Sequence, residues 1–150
     1  MAKQVSVAEA AELMKAGWRY VDVRSVPEFE AGHPEGAFNV PLLHLNQGRM
    51  LPNRDFLTVT ERCFAREDKL LIGCKMAGRS AQAAALLEAS GFTDIAFVRG
   101  GFLGERDAFG RLEVPGWLEA GLPTSGGAPE GRSYAALVQG ESPAPKPTAG

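Results

Sequence analysis

Residues 70–91, "LLIGCKMAGRSAQAAALLEASG", decide the fold. The stretch opens on a short apolar run, passes through Gly73 and Cys74, and enters an alanine-rich segment. There Ala83, Leu86 and Leu87 fall on one side at helical spacing, and Gly91 ends the pattern. It reads as a strand of the type buried on both faces, running through a short loop into a helix.

The flanking sequence repeats this alternation. Ser6 followed by Glu9 forms a capping box that predicts a helix over "SVAEAAELMKAG", with Ala10, Leu13 and Met14 at helical spacing and Gly17 as its stop. "RYVDV" (19–23) is a second buried-type strand, "PEFEAG" a helical turn opened by Pro27, and "AFNV" (37–40) a short strand. A loop holding Gly48 and Pro52 leads to a helix over "NRDFLTVTERCF", in which Phe56, Thr60, Cys63 and Phe64 share a face. "IAFV" (95–98) follows as another strand. Strands and helices in alternation, joined by short connections, predict an α/β fold with a mainly parallel sheet. From residue 124 the chain turns rich in Gly, Pro, Ser and Ala, so residues 124–150 are expected to form a mobile tail, with "SYAALVQ" a transient helix.

Composition narrows the function. The chain has 150 residues, 45% hydrophobic and 23% charged, with a formal net charge of -2, as expected of one globular domain with its own core. No apolar run is long enough to cross a bilayer, and the first residues, "MAKQVSVAEAAELMK", carry no secretory apolar region, so a cytoplasmic protein without membrane partners is expected. A sequence pI of about 5.7 with no basic stretch argues against nucleic acid as a partner. Cys63 and Cys74 form neither a disulfide framework nor a C-x-x-C pair, and His33 and His44 are not spaced from them as metal ligands, so no metal site is expected.

Cys74 lies where a parallel α/β sheet places its ligands, beyond the carboxyl end of a strand. Between it and Ser80, Gly78 lets the backbone curl so that its N–H groups make an anion-binding nest at a helix amino terminus. Lys75 and Arg79 add positive charge, and such surroundings favour thiolate over thiol. Cys74 is thus a candidate nucleophile that holds an anion beside itself. A buried structural cysteine is the competing reading, but it leaves a glycine and two cations within five residues unexplained.

With "VDVRSVPEFEAGHPEGAFNVP" upstream and "VRGGF" downstream, "CKMAGRS" resembles the single-domain rhodaneses, which are sulfurtransferases. The upstream match runs through Asp22, Arg24, Glu28, Phe29, Gly32, His33, Gly36, Ala37, Asn39 and Pro41, and the resemblance covers roughly residues 5–123. It implies a three-layer fold with helices on both faces of the sheet, in a domain spanning 1–123. It also implies that Cys74 takes a sulfane sulfur from thiosulfate or a small persulfide, keeps it as a persulfide, and yields it to a thiophilic acceptor such as cyanide or a thiol. Lys75, Met76, Ala77, Gly78, Arg79 and Ser80 would bind the anionic donor, with no cofactor, and Ser80 would cap the loop through its hydroxyl or its N–H. Met76 and Ala77 stand where some family members carry polar or basic residues, which suits a larger persulfide with an apolar part. Pro34 stands where an aliphatic residue is usual.

Other residues read as structural. Arg24 and Glu28 are expected to pair and fix the turn after the first strand, in preference to lining a pocket with Asp22. His33 is expected to close a Gly/Pro-rich turn by hydrogen bonds, Cys63 to be an inert core residue rather than a resolving thiol, and His44 to lie at the surface. "GERDAFGRLEVPG" (104–116) is either a flap beside the loop or a surface excursion. Two rivals to a sulfurtransferase remain. A cysteine phosphatase or arsenate reductase places one more residue between Cys and Arg than the four found here, so the count favours sulfur. The other is a rhodanese-like binding module, or a carrier handing sulfur to a protein acceptor, for which the proline-bearing tail would be a ready ligand.

Overall fold

The computed structural model describes residues 2–75 and 78–139. In chain order the elements are β1 (Lys3–Val5), α1 (Val7–Lys15), β2 (Arg19–Asp22), α2 (Val26–Ala31), β3 (His33–Pro34), β4 (Phe38–Asn39), β5 (Leu43–Asn46), β6 (Arg49–Pro52), α3 (Phe56–Cys63), β7 (Lys69–Gly73), α4 (Gly78–Ala89), β8 (Asp94–Val98), β9 (Glu105–Arg106), β10 (Leu112–Val114), β11 (Thr124–Ser125) and α5 (Tyr134–Val138). Five strands make one parallel sheet in the order β1-β8-β7-β2-β4. The strand that leads to Cys74 is therefore its centre.

Alternation along the central strands divides the core in two. Val21, Leu70, Ile72 and Cys74 face α3, α4 and α5, where they meet Phe56, Val59, Ala83, Ala84, Leu87 and Leu137. Tyr20, Leu71, Ala96 and Val98 face the opposite way, against Val7 and Ala10 of α1 and Phe29 of α2. Helices thus cover both faces and the fold has three layers, as the resemblance implies. On α4 the buried stripe is Ser80, Ala83, Ala84 and Leu87, which is i, i+3, i+4, i+7. Leu86, expected beside Leu87, lies one residue off that stripe and is 39% exposed.

The capping box of α1 is formed: Ser6 Oγ accepts from Glu9 N–H at 3.0 Å, and Glu9 accepts from Ser6 N–H at 2.9 Å. Two hairpins lie in segments expected as loop or undecided. β5 and β6 pair antiparallel through a turn at Gln47 and Gly48, both at positive φ, in the segment expected as a loop. β9 and β10 pair within residues 104–116, with Phe109 at the tip 87% exposed.

The structure departs from the expected tail. Beyond residue 124 the chain is held to the domain as far as Gln139: β11 pairs with β3, Asn39 N–H donates to Arg132 O at 2.9 Å, and Leu137 is fully buried in the α3/α4 core. Arg62 of α3 donates to Leu137 O at 2.5 Å and caps α5. The Gly- and Pro-rich composition reads as linker because it holds few apolar anchors. Leu137, the Tyr134 ring packed beside it and a strand pairing hold it once a core exists for them to meet. The expectation for 140–150 lies outside the described residues.

Candidate functional site

Two neighbouring strands end together at the site. In the β2–β7 register Asp22 lies opposite Gly73, and Val23 N–H donates to Gly73 O at 2.9 Å. Val23 and Cys74 follow in step, with Arg24 and Lys75 one residue beyond them. Gly73 is required by this junction, because a β-carbon there would collide with the Tyr20 hydroxyl on the facing strand. Tyr20 is a neutral phenol, its pKa raised well above the usual value, first by burial and then by Asp22 and Cys74, against the pull of Arg24.

Cys74 is 2% exposed and sits between the end of β7 and the first turn of α4. Its Sγ accepts the Ser80 N–H at 3.3 Å. The Ser80 backbone N–H, one of the two ways the sequence offered it to cap this junction, meets the sulfur. The Cys74 and Lys75 carbonyls are drawn the other way, accepting from Phe102 N–H at 2.8 Å and Leu103 N–H at 3.0 Å. Because the peptide is planar and trans, the bond that sends Cys74 C=O toward Phe102 sends Lys75 N–H away from it. Gly101 makes the approach possible: its φ is +57°, and a β-carbon there would strike the Cys74 and Lys75 backbone. The turn is fastened from behind, Trp117 N–H donating to Gly101 O at 2.8 Å. Residues 104–116 are therefore an excursion that returns to secure the cysteine's support. Sequence reasoning gave Gly101, Phe102 and Leu103 no role, although two successive glycines after a strand signal a close backbone approach.

The charges pair differently from expectation. Arg24 does not meet Glu28; it closes on Asp22, with Nη2 to Oδ2 at 2.7 Å and Nε to Oδ1 at 3.0 Å, both side chains being buried. Arg24 Nη2 also donates to Gly32 O at 2.6 Å, and Asn39 Nδ2 donates to the Asp22 and Arg24 carbonyls at 3.0 Å each. Arg24 is held protonated, Asp22 outweighing the cost of its burial. Glu28 turns instead to the cysteine loop and takes Arg79 in a two-pronged pair, at 2.8 and 3.0 Å. Ser25 donates to the same Glu28 from N–H at 3.1 Å and from Oγ at 2.8 Å. Burial pushes the Glu28 carboxyl up, but Arg79 and Ser25 together bring it down to about 2. Arg79 is therefore not a freely available cation. Lys75 is exposed and makes no ion pair among the described residues.

A cleft of about 240 Å³ opens beside this assembly, lined by Arg24, Glu28, Ala31, Gly32, Lys75, Phe102 and Leu103. Arg24, expected to be structural only, is both: paired behind and lining the cleft in front, its guanidinium 4.4 Å over the Phe102 ring. The structure thus brings Cys74, Lys75, Gly78, Arg79 and Ser80 to one place. Met76 and Ala77, also expected there, lie outside the described residues. His33 is fully buried, stacked on Phe29 at 3.7 Å with its Nδ1 2.7 Å from Phe29 O, which is the structural role expected of it. Cys63 is half-buried on α3 with a free thiol whose pKa burial raises, and His44 lies on the β5–β6 hairpin against Tyr134. Among the described residues no three of His, Cys, Asp and Glu stand together as a metal site would require.

Comparison with known proteins identifies the family. A family described as "Rhodanese-like domain" matches residues 6–105. The chain is 38% identical over 120 residues to "Thiosulfate sulfurtransferase 16, chloroplastic" of Arabidopsis thaliana, covering 80% of this chain and 90% of that one. It is 39% identical over 99 residues to "Rhodanese-like domain-containing protein 15, chloroplastic" of the same plant, where it covers 66% of this chain and spans 54% of the relative. The crystal structure of Rv0390 from M. tuberculosis superposes with a TM-score of 0.71 at 27% identity, over 84% of this chain and 98% of that one. A parallel five-stranded sheet ending in a supported cysteine loop, and a match across two thirds of its residues, make this chain a member of the rhodanese-like domain family.

Proposed function

We propose that this chain is a sulfurtransferase that passes a sulfane sulfur from thiosulfate or a small persulfide to a thiophilic acceptor by way of a Cys74 persulfide. The observation that carries the proposal is the placement of Cys74 Sγ over the first turn of α4, receiving the Ser80 N–H at 3.3 Å, with no carboxylate in that turn to compete for the helix terminus.

The Cys74 thiolate attacks the outer sulfur of thiosulfate. The donor's S–S bond breaks, its electron pair leaves on sulfite, and the sulfur stays on Cys74 as an anionic persulfide. The acceptor then attacks that outer sulfur, and the electron pair of the enzyme's S–S bond returns to Cys74 Sγ. Two half-reactions through a covalent intermediate imply ping-pong kinetics. The amides at the start of α4 and Lys75 hold the anion in both states, so the same electrostatic frame serves thiolate and persulfide. The relative named thiosulfate sulfurtransferase, at 38% identity, supports the choice of chemistry.

The test is an intact mass measured after incubation with excess thiosulfate. The expected result is a gain of one sulfur atom that cyanide removes and that Cys74→Ser does not show. A gain retained in Cys74→Ser would place the chemistry on another residue. No gain with thiosulfate or with glutathione persulfide would make the domain a binding module.

A further inference from the structure

The cleft contains a donor for which the sulfur chemistry above has no use. Arg24 is 4% exposed, with Nε and Nη2 committed to Asp22 and Nη2 also to Gly32 O. Nη1 has no hydrogen-bond partner among the described residues, and the side chain lines the cleft. An arginine fixed this firmly on one side and left unmet on the other is preorganised for a ligand. Charge around the cleft otherwise cancels: Asp22 against Arg24, Glu28 against Arg79. Lys75 is left, so the cleft favours one negative charge. The remaining wall is apolar, from Ala31, Phe102 and Leu103. Thiosulfate is a compact dianion without carbon and makes no use of such a wall. The Phe102 and Leu103 N–H groups donate to the Cys74 and Lys75 carbonyls, so the wall adjoins the residue on which the persulfide forms.

We infer that Arg24, with Lys75, determines specificity for the acceptor, and that the acceptor is a small alkyl thiol bearing a carboxylate. The carboxylate seats on Arg24 Nη1 and the Lys75 ammonium, while the carbon chain lies on Phe102 and Leu103. The thiol gives its proton to solvent, and its sulfur attacks the outer sulfur of the Cys74 persulfide. The product leaves as an alkyl persulfide and Cys74 is restored as thiolate, with no other oxidant or reductant. This inference rests on the sulfurtransferase reading above.

The experiment follows decay of the thiosulfate-loaded persulfide by mass with 3-mercaptopropionate or its methyl ester, each rate normalised to thiolate concentration. The wild-type protein should favour the carboxylate by roughly tenfold or more, the usual scale for a charge-assisted hydrogen bond. Arg24→Lys keeps the charge facing Asp22 but withdraws the fork, and should bring the two acceptors near parity, each rate taken on the fraction of protein that carries the persulfide. Lys75→Ala, at an exposed position, should cost the carboxylate roughly two- to fivefold. If Arg24→Lys does not fold, inhibition of wild-type transfer by propionate but not by propanol supplies the same discrimination. Equal rates for the two acceptors in wild type, an undiminished preference in folded Arg24→Lys, or no inhibition by propionate would each overturn the inference and leave the sulfurtransferase reading standing. Absence of any persulfide would sink both.

Discussion

Two helices begin at the same edge of the sheet, α2 after β2 and α4 after β7, and they treat their first turns in opposite ways. The start of α2 is sealed from within: Ser25 N–H donates to Glu28 at 3.1 Å, and that carboxylate lies over the turn it belongs to. The start of α4 carries no acidic residue in its first turn and presents the Ser80 N–H to the Cys74 sulfur. Both termini have the same partial positive charge. What separates a structural turn from a reactive one here is whether the sequence supplies the turn with an anion of its own. The two are joined, since the carboxylate that seals α2 also reaches Arg79 on α4.

The largest expected effect comes from forcing the open terminus away from its support. Gly101→Ala places a β-carbon against the Cys74 and Lys75 backbone at a residue whose φ is +57°. The predicted cost is about 3 kcal/mol of stability, read by denaturant unfolding, with persulfide formation reduced further than the unfolded fraction explains. A milder variant at Gly126, where a β-carbon would meet only Glu30 O at 3.6 Å, should leave both unchanged. If Gly101→Ala were also neutral, the hydrogen bonds from Phe102 and Leu103 would not be what orients the cysteine loop.

Next in size is cutting the link between the two termini. Arg79→Ala strands the Glu28 carboxylate near the anionic sulfur, and should lower sulfur transfer from thiosulfate by roughly tenfold through repulsion and a loosened α4 start. Glu28→Gln removes the repelling charge and frees Arg79, so donor KM should fall even though the loop is less tightly held. Opposite signs in KM for the two variants are the expected outcome of steady-state kinetics. A parallel loss in both would make the pair a brace and nothing more.

How much of this was legible in the sequence depended on how far apart the partners lie along the chain. The Ser6–Glu9 box, the strands holding Val21 and Ile72, and the position of Cys74 were readable because each rests on neighbours a few residues away. The motif residues Asp22, Arg24 and Glu28 could be recognised as important, but not who pairs with whom. Arg24 and Glu28 are four apart and of opposite charge, which favours a local pair on a helix. Arg24 precedes the helix, however, so its side chain is turned back toward Asp22. Glu28 finds Arg79 fifty-one positions away, only because β2 and β7 are adjacent in the sheet. The β5–β6 hairpin was hidden by exposure: β6 has no buried residue, so neither strand carries a periodic signal. The docked segment 124–139 was hidden for the opposite reason, a single buried apolar residue, Leu137, standing in a sequence otherwise composed like a linker.

The smallest effect tests the sealed terminus by pH. Glu28 titrates near 2 in the folded protein against an ordinary value of 4.5. A depressed carboxyl binds its proton more weakly folded than unfolded, so its contribution is complete above the unfolded value and is lost as pH falls toward 2. The melting temperature should therefore decline between about pH 4.5 and pH 2, and Arg79→Ala should flatten that decline because the chief cause of the shift is gone. Glu28 is about one-fifth exposed, so solvent screens the pair and the slope is modest. Added salt distinguishes the two ways the slope can arise. A decline that survives high salt belongs to the short hydrogen bonds from Ser25 and Arg79. One that vanishes reflects general repulsion in an acid-charged protein, and would mean that α2 is sealed less firmly than its geometry implies.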